Sequence, residues 1–364
     1  MTEKILHISK DEKFIDMGLR AFERCSPHNN KLIVLSKKKT KHVTFENKQI
    51  IDRKNLESLS HNDEFWSGIQ IVILHSLCTY RISIPKSVKV VWIGFGADYY
   101  DLITSPESLL GNKTKSIVSK DNPRTKQIIK AIRKFLTKAK KTRAQFINRI
   151  DYFCPVLTTE YNLIRWEGRK PKLIDWNYGT LEEDWAKPEN GLDITGNNIL
   201  LGNSATSTCN HIEGIDALKH THTCSQLIIP LSYGDKEYAK KVRKYAEANY
   251  PGPVKALEEF MPFDSYNKLI SSCSHVVMPH KRQQGLGNIV SLIYLGAKVF
   301  LDKENPSYNF FTEKGVNIFS IDEIENSTWS NQLTIGEIEE NRRILKDIWG
   351  KDSIDSKTRQ LLAI

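Results

Sequence analysis

The residues of this 364-residue chain best suited to chemistry lie in a few short runs. His280-Lys281-Arg282-Gln283-Gln284-Gly285-Leu286-Gly287-Asn288 follows a strand-like run, His275–Met278, and leads into apolar Ile289–Leu295. Free N–H groups, the helix dipole and a guanidinium converge at such a helix start. Arg282, Gln283, Gln284, Gly285, Gly287 and Asn288 are therefore a candidate anion site suited to a diphosphate. A second run, Leu201-Gly202-Asn203-Ser204-Ala205-Thr206-Ser207, follows another strand-like stretch. Gly202 lets backbone approach a ligand, and Asn203 and Ser204 can reach phosphate or sugar oxygens. The structural reading of both runs is a polar β-α turn with a helix cap.

A third group is Trp92-Ile93-Gly94-Phe95-Gly96-Ala97-Asp98, with His75 at the end of a neighbouring strand-like run. A carboxylate and an imidazole at strand ends are candidate acid–base groups, catalytic Asp98 and His75. The competing reading makes Asp98 a helix cap and His75 a satisfied core histidine. Cys209, His211, His220, His222 and Cys224 form a His/Cys group, but their spacing matches no common zinc pattern, so no metal is expected. The chain holds no D-x-D sequence, which argues against a nucleoside diphosphate held through metal on an acidic loop.

Charge is concentrated in one place. Residues 111–150 carry 13 Lys and Arg against one Asp, while the whole chain is +10. The rest is therefore close to neutral. Ile128, Ile129, Ile132, Phe135, Leu136 and Phe146 interleave with the cations, as in a basic amphipathic helix that meets anionic lipid. Nucleic acid is the competing partner. With no broader basic footprint and no nucleic-acid motif, the expectation is an anionic membrane surface and no nucleic acid.

These runs need elements to position them. Lys4–Ile8, Lys31–Leu35, Gln70–His75 and Val88–Ile93 read as buried strands, with a helical pattern over Lys13–Arg24, the grammar of an open parallel sheet. A polar stretch near 185–197 precedes a second series. Its strands are expected over Asn198–Leu201, Gln226–Pro230, Val254–Leu257, His275–Met278, Lys298–Leu301 and Asn317–Ser320. Helices fall between them, and two more, Ile335–Trp349 and Ser353–Leu362, close the chain. The expected domains are 1–185, 198–334 and a helical tail, 335–364, packing back on the first. Ligands of such sheets bind beyond the carboxyl ends of the strands. No apolar run approaches a membrane span, no signal peptide is visible, and six sparse cysteines suit a reducing compartment.

Several blocks between about residues 70 and 320 resemble one family. Ile199–Ser204 with Asn210-His211-Ile212-Glu213, Pro262-Phe263-Asp264-Ser265-Tyr266, Arg282–Gly287 and Asn305-Pro306 are similar to the bacterial TDP-N-acetylfucosamine:lipid II N-acetylfucosaminyltransferases. His75, Trp92 and Gly96-Ala97-Asp98-Tyr99-Tyr100-Asp101-Leu102 resemble blocks of that family's first domain. The resemblance implies an α/β GT-B fold, two Rossmann-like domains facing across a cleft. It implies a hexosyltransferase without cofactor or metal. The sugar, an N-acetylated dideoxy-hexose, would pass from a dTDP-sugar to a polyprenyl-diphosphate-linked saccharide in surface polysaccharide synthesis, of the enterobacterial common antigen or O-antigen kind. The place would be the cytoplasmic face of the inner membrane, peripherally bound. It further implies that Phe260 and Phe263 flank the donor base, and that the first domain takes the acceptor. A nucleic-acid-binding protein and a GT-B sugar-nucleotide epimerase remain the alternatives.

Overall fold

The protein is described here by a computed structural model covering residues 4–77, 82–119, 143–166, 168–186, 193–219, 221, 225–324 and 329–364. Most of the basic run, 120–142, lies outside these residues, as do His220, His222 and Cys224. The chain divides into two compact units. Unit 1 takes 1–103, 123–180 and 349–364; unit 2 takes 104–122 and 181–348.

Unit 1 is built on seven parallel strands: β1 (Ile5–Ser9), β2 (Asn30–Leu35), β3 (Lys48–Ile51), β4 (Ile71–His75), β5 (Lys89–Ile93), β6 (Tyr152–Cys154) and β7 (Lys172–Leu173). Their order is β3-β2-β1-β4-β5-β6-β7. β1 and β4 are buried along their whole length, as expected of parallel strands covered on both faces. Helix α1 (Ile15–Cys25) buries Ile15, Leu19 and Phe22 against the sheet. Further along come α2 (Arg53–Leu59) and the short α3 (Tyr100–Ile103).

Unit 2 carries six parallel strands: β8 (Asn198–Leu201), β9 (Leu227–Pro230), β10 (Val254–Leu257), β11 (Cys273–Met278), β12 (Lys298–Leu301) and β13 (Phe319–Ser320), in the order β10-β9-β8-β11-β12-β13. Its helices are α4 (Asn112–Ser119), α5 (His211–Leu218), α6 (Lys236–Asn249), α7 (Phe263–Ile270), α8 (Leu286–Leu295), α9 (Pro306–Glu313) and α10 (Ile335–Trp349). Its core joins Leu201, Ile215, Leu227, Ile229, Val242, Val277 and Phe300. In both sheets the chain runs outward from the first strand and then returns to that strand's other side. The order therefore reverses between β1 and β4, and between β8 and β11. Ligands of open α/β sheets bind at the carboxyl ends of the strands flanking such a reversal.

The units divide the chain differently from a single cut near 185–197. Residues 104–122 belong to unit 2 because α5 captures them. Asn210, in left-handed conformation (φ 51°), accepts from the Gly111 amide at 2.9 Å and donates to Leu109 O at 3.0 Å and Pro279 O at 2.9 Å. Glu213 accepts from the Lys113 and Thr114 amides at 2.9 and 3.0 Å, capping the start of α4, and Lys113 pairs with Asp216. The Asn-His-Ile-Glu run is thus the dock for this crossing segment. Of the two closing helices, α10 stays in unit 2, where Arg342 donates to Tyr294 O at 2.9 Å. α11 (Lys351–Leu362) joins unit 1, with Arg24 forked on Asp355 at 2.6–3.1 Å and Trp176 Nε1 donating to Thr358 at 2.8 Å. Asn210→Gly keeps the left-handed backbone but strands three buried backbone groups. It is expected to lower the stability of unit 2 by about 2–4 kcal/mol, read from the urea midpoint.

Candidate functional site

The order reversal of unit 2 brings the two loops of the sequence analysis together. β8 ends at Leu201 and turns at Gly202 (φ +67°). A Cβ there would lie 2.6 Å from His211 Nε2, so only glycine lets the loop turn over that imidazole. β11 ends at Met278, and its loop reaches α8 through Gly285, also at φ +67°. A Cβ at Gly285 would meet the Asn203 side chain at 3.1 Å. The loops are stitched by Gln284. Its Nε2 donates to Asn203 Oδ1 and lies against Cys209 Sγ, both at 2.9 Å, and its Oε1 accepts from Thr208 Oγ1 at 2.9 Å. Gln283 and Gln284 are buried, so the amides frame the site from within. Ser204 is buried and shares a hydrogen bond with Thr206 at 2.9 Å.

The first turn of α8 has no side-chain cap. Its early N–H groups thus face out with the positive end of the helix dipole. Gly287 sits in that turn, and a Cβ at this position would meet nothing within 4 Å, so no protein neighbour demands glycine there. A glycine costs a helix about 1 kcal/mol against alanine, and the open space above it leaves the amides approachable. Arg282 is half-buried, with Nε donating to Thr208 Oγ1 at 3.4 Å. Lys281 is tied to Glu304 at 2.7 Å. Asn288 donates to the Tyr266 hydroxyl at 2.9 Å, joining α8 to α7. Phe260 is exposed in the loop after β10, and Phe263 begins α7 with its side chain outside the described part.

Three groups here were not assigned roles from sequence. Cys209 is buried at the meeting of the loops; burial pushes its thiol up, but His280, Asn203 and Ser204 outweigh this and bring it down to about 7. Burial, with His280 nearby, brings His211 down to about 3, so it is neutral at pH 7. His280 is fully buried, with Nδ1 3.3 Å from Gln284 O and no partner at Nε2 among the described residues. Among those residues no group of three or more His, Cys, Asp or Glu has the geometry to hold a metal. Cys209 and His211 were visible in the sequence as members of the His/Cys group; their meeting with His280 was not.

Unit 1 places His75 and Asp98, the acid–base candidates, in buried hydrogen-bond networks. His75 is fully buried with both ring nitrogens engaged, Nε2 to His7 Nδ1 at 3.0 Å and Nδ1 to the Tyr178 hydroxyl at 2.7 Å. His7 Nε2 in turn meets Asn30 Oδ1 at 3.2 Å. The Asn30 amide is oriented because its Nδ2 donates to Glu23 Oε1 at 2.8 Å and Ser26 O at 2.9 Å. Donation must then run Tyr178 to His75 to His7 to Asn30, which fixes both tautomers with neutral rings. Burial holds His75 well below its ordinary value. Asp98 Oδ2 accepts from the Leu77 amide at 2.6 Å and Trp92 Nε1 at 2.9 Å, and Oδ1 accepts from the Phe95 amide at 2.8 Å. Burial raises its carboxyl, opposed by these donors. Asp98 shapes its loop, and both ring nitrogens of His75 are engaged within unit 1.

Residues 181–354, just under half of the chain, match the sequence model of the 4-alpha-L-fucosyltransferase family, glycosyl transferase group 56. Similar solved structures span nearly the whole chain. HepE of Anabaena, in complex with UDP and glucose, is 12% identical, with 99% of each chain covered and a TM-score of 0.62. A UDP-forming α,α-trehalose-phosphate synthase from Burkholderia xenovorans is 8% identical over 99% of each chain, with a TM-score of 0.59. A glycosyltransferase from Rickettsia africae is 10% identical, covering 100% of this chain and 97% of that one, with a TM-score of 0.58. At these identities the likeness is one of fold: two parallel-sheet α/β units of the GT-B type. Fold and family match together support a fucosyltransferase-like glycosyltransferase.

Proposed function

We propose that this chain transfers a hexose from a nucleoside diphosphate donor held on unit 2. The observation that carries the reading is the joining of the Gly202–Ser204 loop to the Arg282–Asn288 turn by Gln284, at the strand-order reversal and at an uncapped helix start. Arg282 and the first amides of α8 would bind the departing diphosphate and stabilise its growing charge. Gly202, Asn203 and Ser204 would meet the sugar or phosphate oxygens, and Phe260 would border the base. The family match to 181–354 and a GT-B relative crystallised with UDP and glucose support a nucleotide-sugar donor.

The resemblance in sequence narrows this to an N-acetylated dideoxy-hexose on dTDP, a polyprenyl-diphosphate-linked acceptor, and catalysis without metal, consistent with the missing D-x-D. A panel of nucleotide sugars tests the donor. The true donor should raise the melting temperature more as its concentration climbs above Kd, and its turnover should persist in excess EDTA. A flat melting temperature across all sugar nucleotides ends the reading.

A lipid-linked acceptor stays in the bilayer, so the enzyme must come to it. No helix among the described residues is long and apolar enough to cross a membrane. The basic run of 111–150 is proposed to bind anionic lipid at the inner membrane's cytoplasmic face. Changing Lys130, Arg133, Lys134, Lys138, Lys140 and Lys141 to Gln should remove several kcal/mol of attraction to anionic vesicles, at about 1 kcal/mol each. Turnover on a water-soluble acceptor should hold while turnover on a lipid-linked one falls. Binding to RNA without binding to vesicles would return the run to the nucleic-acid reading.

A further inference from the structure

Unit 2 carries two large exposed aromatic side chains at one edge, Tyr233 at 64% and Phe260 at 78% exposure. They occupy equivalent places. Pro230, the last residue of β9, pairs with Leu257, the last of β10, and each aromatic lies three residues further on. Neighbouring strands are about 4.8 Å apart, so both project from the carboxyl edge of the sheet, on one side of the diphosphate loops. Tyr233 is also tied to those loops. The Ala205 amide donates to Tyr233 O at 2.8 Å, and the Asp235 amide returns to Ala205 O at 2.9 Å. A Cβ at Gly234 (φ +117°) would lie 2.5 Å from Ala205 O, so the stitch requires glycine.

Leaving a tyrosine ring two-thirds in water at a loop fixed this closely forgoes the gain of burying it. Among the described residues its hydroxyl has no hydrogen bond and its ring packs on no other aromatic ring. Phosphates held at the reversal between β8 and β11 leave a ribose and base to lie along the edge. In the direction of β9 and β10 the two exposed aromatic faces wait there.

We infer that Tyr233 is a stacking platform for the planar base of the nucleoside diphosphate donor, sharing that edge with Phe260. The inference rests on the proposed donor site and adds the residue that grips the base. A π-face accepts any base, so Tyr233 sets affinity for nucleotide over bare diphosphate rather than the choice among bases.

Calorimetric titration of the full chain with uridine, thymidine and guanosine diphosphates, and with inorganic pyrophosphate, separates the terms. Tyr233→Ala should weaken the best-bound nucleoside diphosphate about tenfold or more, the effect of removing one stacking face, and leave pyrophosphate affinity unchanged. Tyr233→Phe should bind like the wild type, since stacking needs the ring and not the hydroxyl. In turnover, Tyr233→Ala should raise KM for the donor and spare kcat. Unchanged nucleotide affinity in Tyr233→Ala overturns the inference. So does an equal loss for nucleotide and pyrophosphate, which would make Tyr233 a support of the loop. A wild-type protein that binds neither nucleotide nor pyrophosphate removes the donor site itself, and the inference with it.

Discussion

Arg282→Ala is expected to lower kcat/KM for nucleotide-sugar turnover by about 10²-fold or more, the scale of losing one donor aimed at developing charge. Arg282 stands where β11's loop enters α8, with Nε near Thr208 Oγ1 at 3.4 Å. In the proposed transfer the diphosphate takes up negative charge as the glycosidic bond breaks, and the guanidinium and the α8 amides would meet it. Arg282→Lys should recover only part, because an ammonium keeps the charge but loses the planar fork. Lys281→Ala is the internal control. Its ammonium is held by Glu304 at 2.7 Å, an ion pair whose carboxylate is exposed, so its loss should change turnover little. Steady-state kinetics with circular dichroism to verify folding decides the matter. Near wild-type turnover in a folded Arg282→Ala protein would remove the arginine from the site.

The two loops of the proposed donor site were legible in the sequence because their grammar is local. A strand, a glycine turn and a helix start appear as contiguous residues, and Asn198–Leu201 forms with the expected boundaries. That the loops meet follows from the reversal of strand order, and the tie itself, Gln284 to Asn203, spans 81 positions. Long-range ties also explain what was not legible. The assignment of 104–122 to unit 2 depends on Asn210 and Glu213 reaching about a hundred residues back. β3, β6 and β7 escaped notice because they have only two to four residues. His75 looked catalytic because an imidazole at a strand end is the same letter whether its nitrogens are free or taken. Only the positions of His7 and Tyr178 show that they are taken.

The same buried chain makes unit 1 acid-sensitive. Burial pushes His7 down to about 4, against the hydrogen bond it donates to Asn30, and His75 lies well below its ordinary value for the same reason. Both rings are neutral in the folded protein at pH 7, and an unfolded histidine titrates near 6.5. Above that pH neither state binds the proton, so stability is full and flat. Below it the unfolded chain takes up protons that the folded chain refuses, and stability falls as pH drops from about 6.5 toward 4. At pH 5 each ring should cost about 2 kcal/mol, before any relaxation that lets the site accept the charge. Carboxylates add their own acid loss mainly below about pH 5, so the window from 6.5 to 5 isolates the imidazoles. His211 in unit 2, held down to about 3, contributes in the same direction and sets the background. Urea unfolding at pH 8, 6.5, 5.5 and 5 should show this slope. A His7→Gln, His75→Gln double variant should start less stable at pH 8 yet lose less on acidification, because two proton-binding sites are gone from its unfolded state. A wild-type profile flat to pH 5 would mean that the rings charge freely and the neutral chain from Tyr178 to Asn30 is wrong. A double variant that falls as steeply as wild type would move the acid sensitivity out of unit 1.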